Sequence, residues 1–382
     1  MSEAEITDLI SRLESFPKPK DKAQCQRLWE AARSFSAKIE TEPNLQHRLL
    51  SAPLQLVIPR IASDLHIFEI LVQSKEPIST TELGLTDSNS YMGRILRYLA
   101  AQFLITSPSP RFWASSPLTS FLANLAYAAG LRFGTVCVLP SEATLPALLS
   151  NNSYKDTSAL NTTAFQLGHG THDSFFEWLS RHPDDRNDFQ QWMAETHKRQ
   201  QSAFGGVNLS ELLRGSSLPE APVFVDVGGG NGQSCAEFLD MYPESASRVI
   251  NQDLQATTIG TQSKGIVHQD HDFFAEQPVK GAKIYHFRKV LHNWSADECV
   301  ELLSRTREAM GRESRIVVDD IAIEESNLDW HLSYVDLTMG ILFGTRERTL
   351  DEFKYIFERA GLTLGRVVKY GKGSGEHIMV LS

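Results

Sequence analysis

The chain has 382 residues, 41% hydrophobic and 22% charged, enough apolar side chain for two or three domains with cores of their own. Its formal net charge of -10 argues against broad binding to nucleic acid, which needs clustered Lys and Arg to displace counterions from phosphates. The opening MSEAEITDLISRLESF lacks the basic and apolar regions of a secretory signal, and apolar runs such as AYAAGL stop short of the roughly 20 residues that cross a bilayer, so a cytoplasmic protein with no membrane span is expected.

The elements follow in chain order. PKPK at 17–20 marks a break after a short first helix, and the next helix places Leu28, Ala31, Ala32, Phe35 and Ile39 on one face that should pack against something. From 54 to 72, LQLVIPRIASDLHIFEILV is apolar all round, which points to burial in a core or, as favoured here, a homodimer interface. Residues 79–112 predict two short helices and a small β-wing. This winged-helix pattern offers chiefly Arg94 and Arg97 on its second helix, too few for a DNA reader in an acidic protein, so a dimerisation scaffold is the better reading. Residues 126–200 predict helices with Phe175, Phe176, Trp178, Phe189, Trp192 and Met193 at core spacings. The four cysteines, Cys25, Cys137, Cys235 and Cys299, are far apart with no CxxC pair and read as buried free thiols in a reducing compartment.

After SSLPEAP the texture changes to alternating strands and helices, the sign of a parallel, doubly wound α/β domain. VFVDVGGGNGQSCAEFL (223–239) supplies strand, glycine loop and helix in the order of a nucleotide-binding βα turn. Its glycines fall as Gly228-x-Gly230-x-Gly232, with Gln233 where a dinucleotide fingerprint has its third glycine, which favours S-adenosylmethionine over NAD. RVINQD then ends in Asp253, placed to accept from ribose hydroxyls, and GIVHQDHDFF delivers Asp272 and Phe273, suited to an adenine amine and ring face. His268 and His271 beside Asp270 and Asp272 are weak zinc candidates, and no metal is expected. RVVKY and HIMVL flank GKGSGE as a closing hairpin whose last strand runs antiparallel, a methyltransferase-like ending.

Three groups project from the remaining strand ends. AKIYHF leads into a loop with His292, just before a capping box of Ser295 and Glu298; RIVVDD ends in Asp320; and FGTRERT places Glu347 before a helix capped by Thr349 and Glu352. One histidine with two carboxylates is a general base with its orienters, and a phenol, with pKa near ~10, is a poor nucleophile until its proton is removed.

These features together resemble the plant and fungal small-molecule O-methyltransferases of the caffeate and isoflavone type. PRIASDLHIFEIL and GRILRYLAA resemble the family's dimerisation domain, and VDVGGGNG, HDFF, RKVLHNW and TRERT its catalytic motifs in order, from about residue 54 to the end. The resemblance implies a class I S-adenosylmethionine-dependent fold, an obligate homodimer, metal-independent methyl transfer and a cleft between a helical, winged-helix-like domain at 1–135 and a catalytic domain at 136–382. Gly228, Gly230, Gly232, Asp253, Asp272, Phe273 and Arg288 would contact the cofactor, His292 would be the base, and Asp320 and Glu347 would orient it. Asn293 stands where an aspartate often follows the base, Asp320 replaces the longer plant glutamate, Phe273 a common methionine and Arg288 a common lysine.

The leading expectation is therefore methyl transfer to a hydroxyl of a small aromatic or polyketide-type natural product. The alternative is a relative that keeps the cofactor as a fixed positive charge and catalyses a pericyclic or dehydration step; a cofactor-sensing winged-helix regulator ranks third.

Overall fold

The computed structural model describes residues 2–83, 91–155, 160, 162–199, 203–214, 221–254, 265–324, 326, 329–370 and 375–382. The chain divides into two compact units, 1–55 and 56–382.

In the first unit three helices, Glu3–Glu14, Lys22–Ile39 and Glu42–Ser51, are delimited as their sequences require. Ser2 and Glu5 form a capping box on the first, Asp21 accepts from the Gln24 amide on the second, and a proline opens the third. None of the three buries a side chain. The face expected to pack stays open: Leu28, Phe35 and Ile39 are exposed, as are Ile6, Ile10 and Leu13 on the first helix.

The apolar stretch that follows does not form one continuous helix. The apolar 54–72 segment is two helices, Leu54–Asp64 and Ile67–Gln73, broken where His66 turns left-handed at φ 55°. One side of the pair, Ile58, Ala62, Ile67, Phe68 and Leu71, packs into a core with Ile95, Leu96, Leu99, Ile105 and Trp113, so part of its apolarity serves intrachain burial. The wing forms from β1 (Ile78–Ser79), β2 (Ile105–Ser109) and β3 (Phe112–Ser115), with the helix Tyr91–Ala101 beside it. The first of the two expected short helices falls partly at 84–90, outside the described residues.

One helix is longer than the short apolar runs of the sequence suggest, and by length and composition alone it could cross a membrane. Leu125–Asn151 forms one continuous helical run of 27 residues, within which an 18-residue window reaches a mean hydropathy of 1.2. A π-turn at Gly134–Val138 carries the helix past Pro140, joining apolar segments that looked separate in sequence. Phe133, Cys137, Val138 and Leu148 pack against Phe165, Phe175, Trp178 and Leu179, and Arg132 pairs with Asp188 at 2.5 Å, the contacts of a helix within a folded domain. Cys137, Cys235 and Cys299 are buried free thiols as expected, while Cys25 is half-buried.

The sheet that positions the site has seven strands: β4 (Phe224–Val227), β5 (Val249–Asp253), β6 (Ile266–Asp270), β7 (Ile284–Arg288), β8 (Arg315–Ile321), β9 (Leu364–Lys369) and β10 (Glu376–Leu381). Their order is β6-β5-β4-β7-β8-β10-β9; the first five are parallel, and β10 runs antiparallel to both β8 and β9. The closing hairpin is thus present, although its turn at 371–374 lies outside the described residues. Chain order reverses at β4, which pairs with β5 on one side and β7 on the other; in open sheets ligands bind at this switch point, beyond the strands' carboxyl ends. Helices Ala296–Ala309 and Leu350–Arg359 bury Cys299, Leu302, Leu303, Phe353, Ile356 and Phe357 against one core with Tyr285, Phe287, Ile316 and Val318, so the carboxyl ends of β7 and β8 rest on a rigid base.

Candidate active site

The first part of the site is the glycine loop after β4. Gly228, Gly230 and Gly232 are left-handed at φ 71°, 57° and 80°, and the helix Gln233–Met241 starts directly after them. Gly229, which no spacing argument singled out, is the most confined: a Cβ there would lie 2.2 Å from Asn251 Oδ1 and 2.5 Å from Asp226 Oδ2. Both neighbours are buried, Asp226 held at 2.8 Å by His286 Nδ1 and Asn251 donating to Gly230 O at 2.9 Å. Asp253 sits at the end of β5, where its Oδ2 accepts from the Gly230 amide at 2.8 Å and its Oδ1 from the Leu254 amide. Its carboxylate therefore holds the loop as well as facing the switch point.

Phe273 approaches this loop, its ring 3.4 Å from where a Gly228 Cβ would stand, and meets Trp294 edge-on with centroids 5.7 Å apart. Asp272 is exposed, accepting from the Phe274 amide at 3.0 Å. Arg288, at the end of β7, is turned inward: its Nε lies 3.1 Å from Asp319 and its Nη1 3.6 Å from Glu237, and Asp319 also accepts from Tyr370. The left-handed glycine cradle, an aromatic face beside it and a helix N-terminus fit a nucleoside bearing an amino-acid carboxylate. His268 contacts Asn251 at 3.4 Å, and it does not join His271 and the neighbouring aspartates in a three-ligand grouping among the described residues.

The second part gathers at β7 and β8. His292 lies in a three-residue 3₁₀ turn, Leu291–Asn293, between β7 and the helix Ala296–Ala309, whose Ser295–Glu298 capping box forms as expected. Its Nδ1 is 2.8 Å from Glu347 Oε1 and 3.7 Å from Asp320 Oδ1. Asp320 and Glu347 are fully buried while His292 keeps 9% exposure, so the ring is the member of the trio that meets anything entering from outside. Asp320 supports the turn as well, accepting from the His292 amide at 3.3 Å and the Ile321 amide at 2.9 Å. A carboxylate acceptor on Nδ1 fixes the proton there and leaves the lone pair on Nε2.

The electrostatics suit a base. Burial and the nearby Lys289 ammonium both work against a charged imidazole, but the Glu347 and Asp320 carboxylates outweigh them, so His292 holds its proton above the ordinary imidazole range. Burial raises the Asp320 carboxyl, against the pull of His292 and Lys289. The three groups bring possible metal-ligating atoms within 4.8 Å of one another, but Glu347 and His292 stand at hydrogen-bond distance and Asp320 is engaged by two backbone amides.

An aromatic wall adjoins the base. Trp294 lies nearly parallel to Phe176 with centroids 6.2 Å apart, and Phe176 stacks on Phe343 at 5.4 Å. Two residues near His292 escaped sequence reading. Lys289 is left-handed at φ 53°, its Nζ buried without a hydrogen bond among the described residues, and Arg348 is a buried cation beside Glu347. A positive φ at a lysine leaves no mark in sequence.

Comparison with known proteins decides the family: an O-methyltransferase domain matches residues 154–363. The chain belongs to the O-methyltransferase family. It is 33% identical to demethylsterigmatocystin 6-O-methyltransferase of Aspergillus parasiticus over 83% of this chain and 82% of the relative. It is 32% identical to the O-methyltransferase lepI of Aspergillus flavus over 89% of each. The solved structure of LepI with S-adenosylmethionine superposes with a TM-score of 0.90 at 30% identity, covering 100% of both chains. A chain described as a pericyclic reaction enzyme superposes at 0.87, also at 30% identity, covering 99% of this chain and 98% of the other. The family's cofactor is S-adenosylmethionine, and the seven-strand sheet is that of class I methyltransferases.

Proposed function

We propose that this protein methylates a hydroxyl of a small aromatic or polyketide-type natural product, with His292 as the general base. The observation that carries the reading is the 2.8 Å contact of His292 Nδ1 with buried Glu347, backed by Asp320, at the strand edge next to the glycine loop. S-adenosylmethionine, when bound, supplies an electrophilic methyl group. Gly228, Gly230, Gly232, Asp253, Asp272 and Phe273 are the residues proposed to hold it, with Arg288 shaping the floor through Asp319. His292 Nε2 takes the phenolic proton, and Glu347 and Asp320 stabilise the imidazolium that results. The wall of Trp294, Phe176 and Phe343 supports a flat apolar acceptor.

A second reading is favoured by the likeness to the pericyclic reaction enzyme: binding the cofactor without consuming it. Incubating the protein with S-adenosylmethionine and a panel of phenolic metabolites separates the two. S-adenosylhomocysteine released in step with product supports methyl transfer; a transformed metabolite without it transfers the assignment to the second reading.

The rest of the assignment is architectural. Residues 1–135 are proposed to serve homodimerisation and 136–382 catalysis, supported by the uncovered apolar faces of the first three helices. A cytoplasmic setting fits three buried free cysteines, and the formal net charge of -10 argues against nucleic acid as a partner.

A further inference from the structure

We infer that Thr345 and Arg348 are positioning residues for His292, so that the segment 345–348 acts as one clamp on the catalytic turn; the inference builds on the assignment of His292 as base. A 3₁₀ turn of three residues has too few hydrogen bonds of its own to fix a side chain's direction. The clamp supplies the missing ones. Thr345 Oγ1 donates to His292 O at 2.6 Å, Arg348 Nη1 donates to Leu291 O at 2.8 Å, and Arg348 Nη2 donates to Trp294 O. Between these two residues, Glu347 reaches the imidazole itself. Three backbone carbonyls around the base and one ring nitrogen are thus held from a single four-residue stretch.

The stretch is itself anchored at both sides. Asp336, on the helix Trp330–Phe343, accepts from the Glu347 amide at 2.8 Å, and Arg348 bridges to Ala322 just past the end of β8 while its carbonyl accepts from the Ile323 amide at 2.9 Å. Arg348 is 5% exposed and has backbone carbonyls as its hydrogen-bond acceptors, a costly place for a guanidinium unless its fork geometry is needed. A lysine in its place is a point charge that cannot span Leu291 O and Trp294 O together. The clamp also couples the base to the wall, because Trp294, whose carbonyl Arg348 holds, stacks on Phe176.

The test uses the full-length protein as Thr345→Val and Arg348→Lys variants, with two readouts. With a phenol that releases S-adenosylhomocysteine from the wild type, Arg348→Lys should lower kcat about a hundredfold, the scale of a misplaced catalytic group, and Thr345→Val about tenfold, with KM for the phenol and the S-adenosylmethionine Kd little changed. Independently of any acceptor, the downfield Nδ1 proton resonance of His292, assigned by its loss in His292→Ala, should broaden or shift in both variants. Unchanged kcat and resonance in folded, cofactor-binding variants would overturn the clamp. Losses of kcat that merely follow losses of cofactor affinity and folded protein would overturn it too, as they mark a structural role alone. If the wild type releases no S-adenosylhomocysteine with any phenol, the methyl-transfer reading fails, and the resonance decides the clamp by itself.

Discussion

At the scale of single residues, the site depends on the charge next to one imidazole. Glu347 lies against His292 Nδ1 and, with Asp320, raises the ring's proton affinity despite burial. A base so raised is protonated further up the pH scale, so kcat/KM should climb through a midpoint above 6.5, the ordinary imidazole value. Glu347→Gln keeps a hydrogen-bond acceptor and removes the charge; it should move that acid limb toward lower pH while lowering kcat, as a pH–rate profile of the variant would show. An unmoved limb would mean that Glu347 does not set the ring's charge state. The linkage to stability has the opposite sense: the folded-state pKa lies above the unfolded one, so the His292 contribution is complete below the unfolded value and is lost as pH rises through the folded one.

At the scale of elements, the glycine loop owes its shape to buried polar neighbours that enclose it. Gly229→Ala would force a Cβ into Asn251 and Asp226, both fixed by hydrogen bonds, so the loop must shift. Overpacking of this kind costs about 1–3 kcal/mol, and the variant should melt earlier and bind S-adenosylmethionine more weakly, by calorimetry, than the wild type. Equal melting and affinity would contradict the cradle. This loop also shows where the sequence was legible and where it was not. Strand, glycines and helix are written locally, as are the capping boxes at Ser295 and Thr349, because each is set by residues a few positions apart. Asn251 and Arg348 act across 21 and 57 positions and Lys289 through an unusual φ, and spacing rules carry no information about such contacts. The π-turn that lengthens the 125–151 helix and the break at His66 were hidden for a similar reason: packing overrode local pattern.

At the scale of the molecule, a 55-residue unit with three amphipathic helices and no buried side chain among them has unmet hydrophobic surface. Ile6, Ile10 and Leu13 on one helix and Leu28, Phe35 and Ile39 on the next are spaced to form continuous stripes, the kind that a second copy of the chain would cover. The protein should therefore sediment as a dimer at low micromolar concentration; a stable monomer would refute the proposed role of 1–135. The class of the seven-strand sheet, parallel with an antiparallel closing hairpin, was by contrast legible from the alternation of strands and helices, while its strand order, with the reversal at β4, was not.

The measurement that tests the central claim most directly is S-adenosylhomocysteine release from S-adenosylmethionine and a phenolic acceptor, by wild type and His292→Ala side by side. The account predicts turnover by the wild type and a loss of about 10²–10⁴-fold in the variant, the usual contribution of a general base, with cofactor affinity retained. Near-normal turnover by His292→Ala would contradict it.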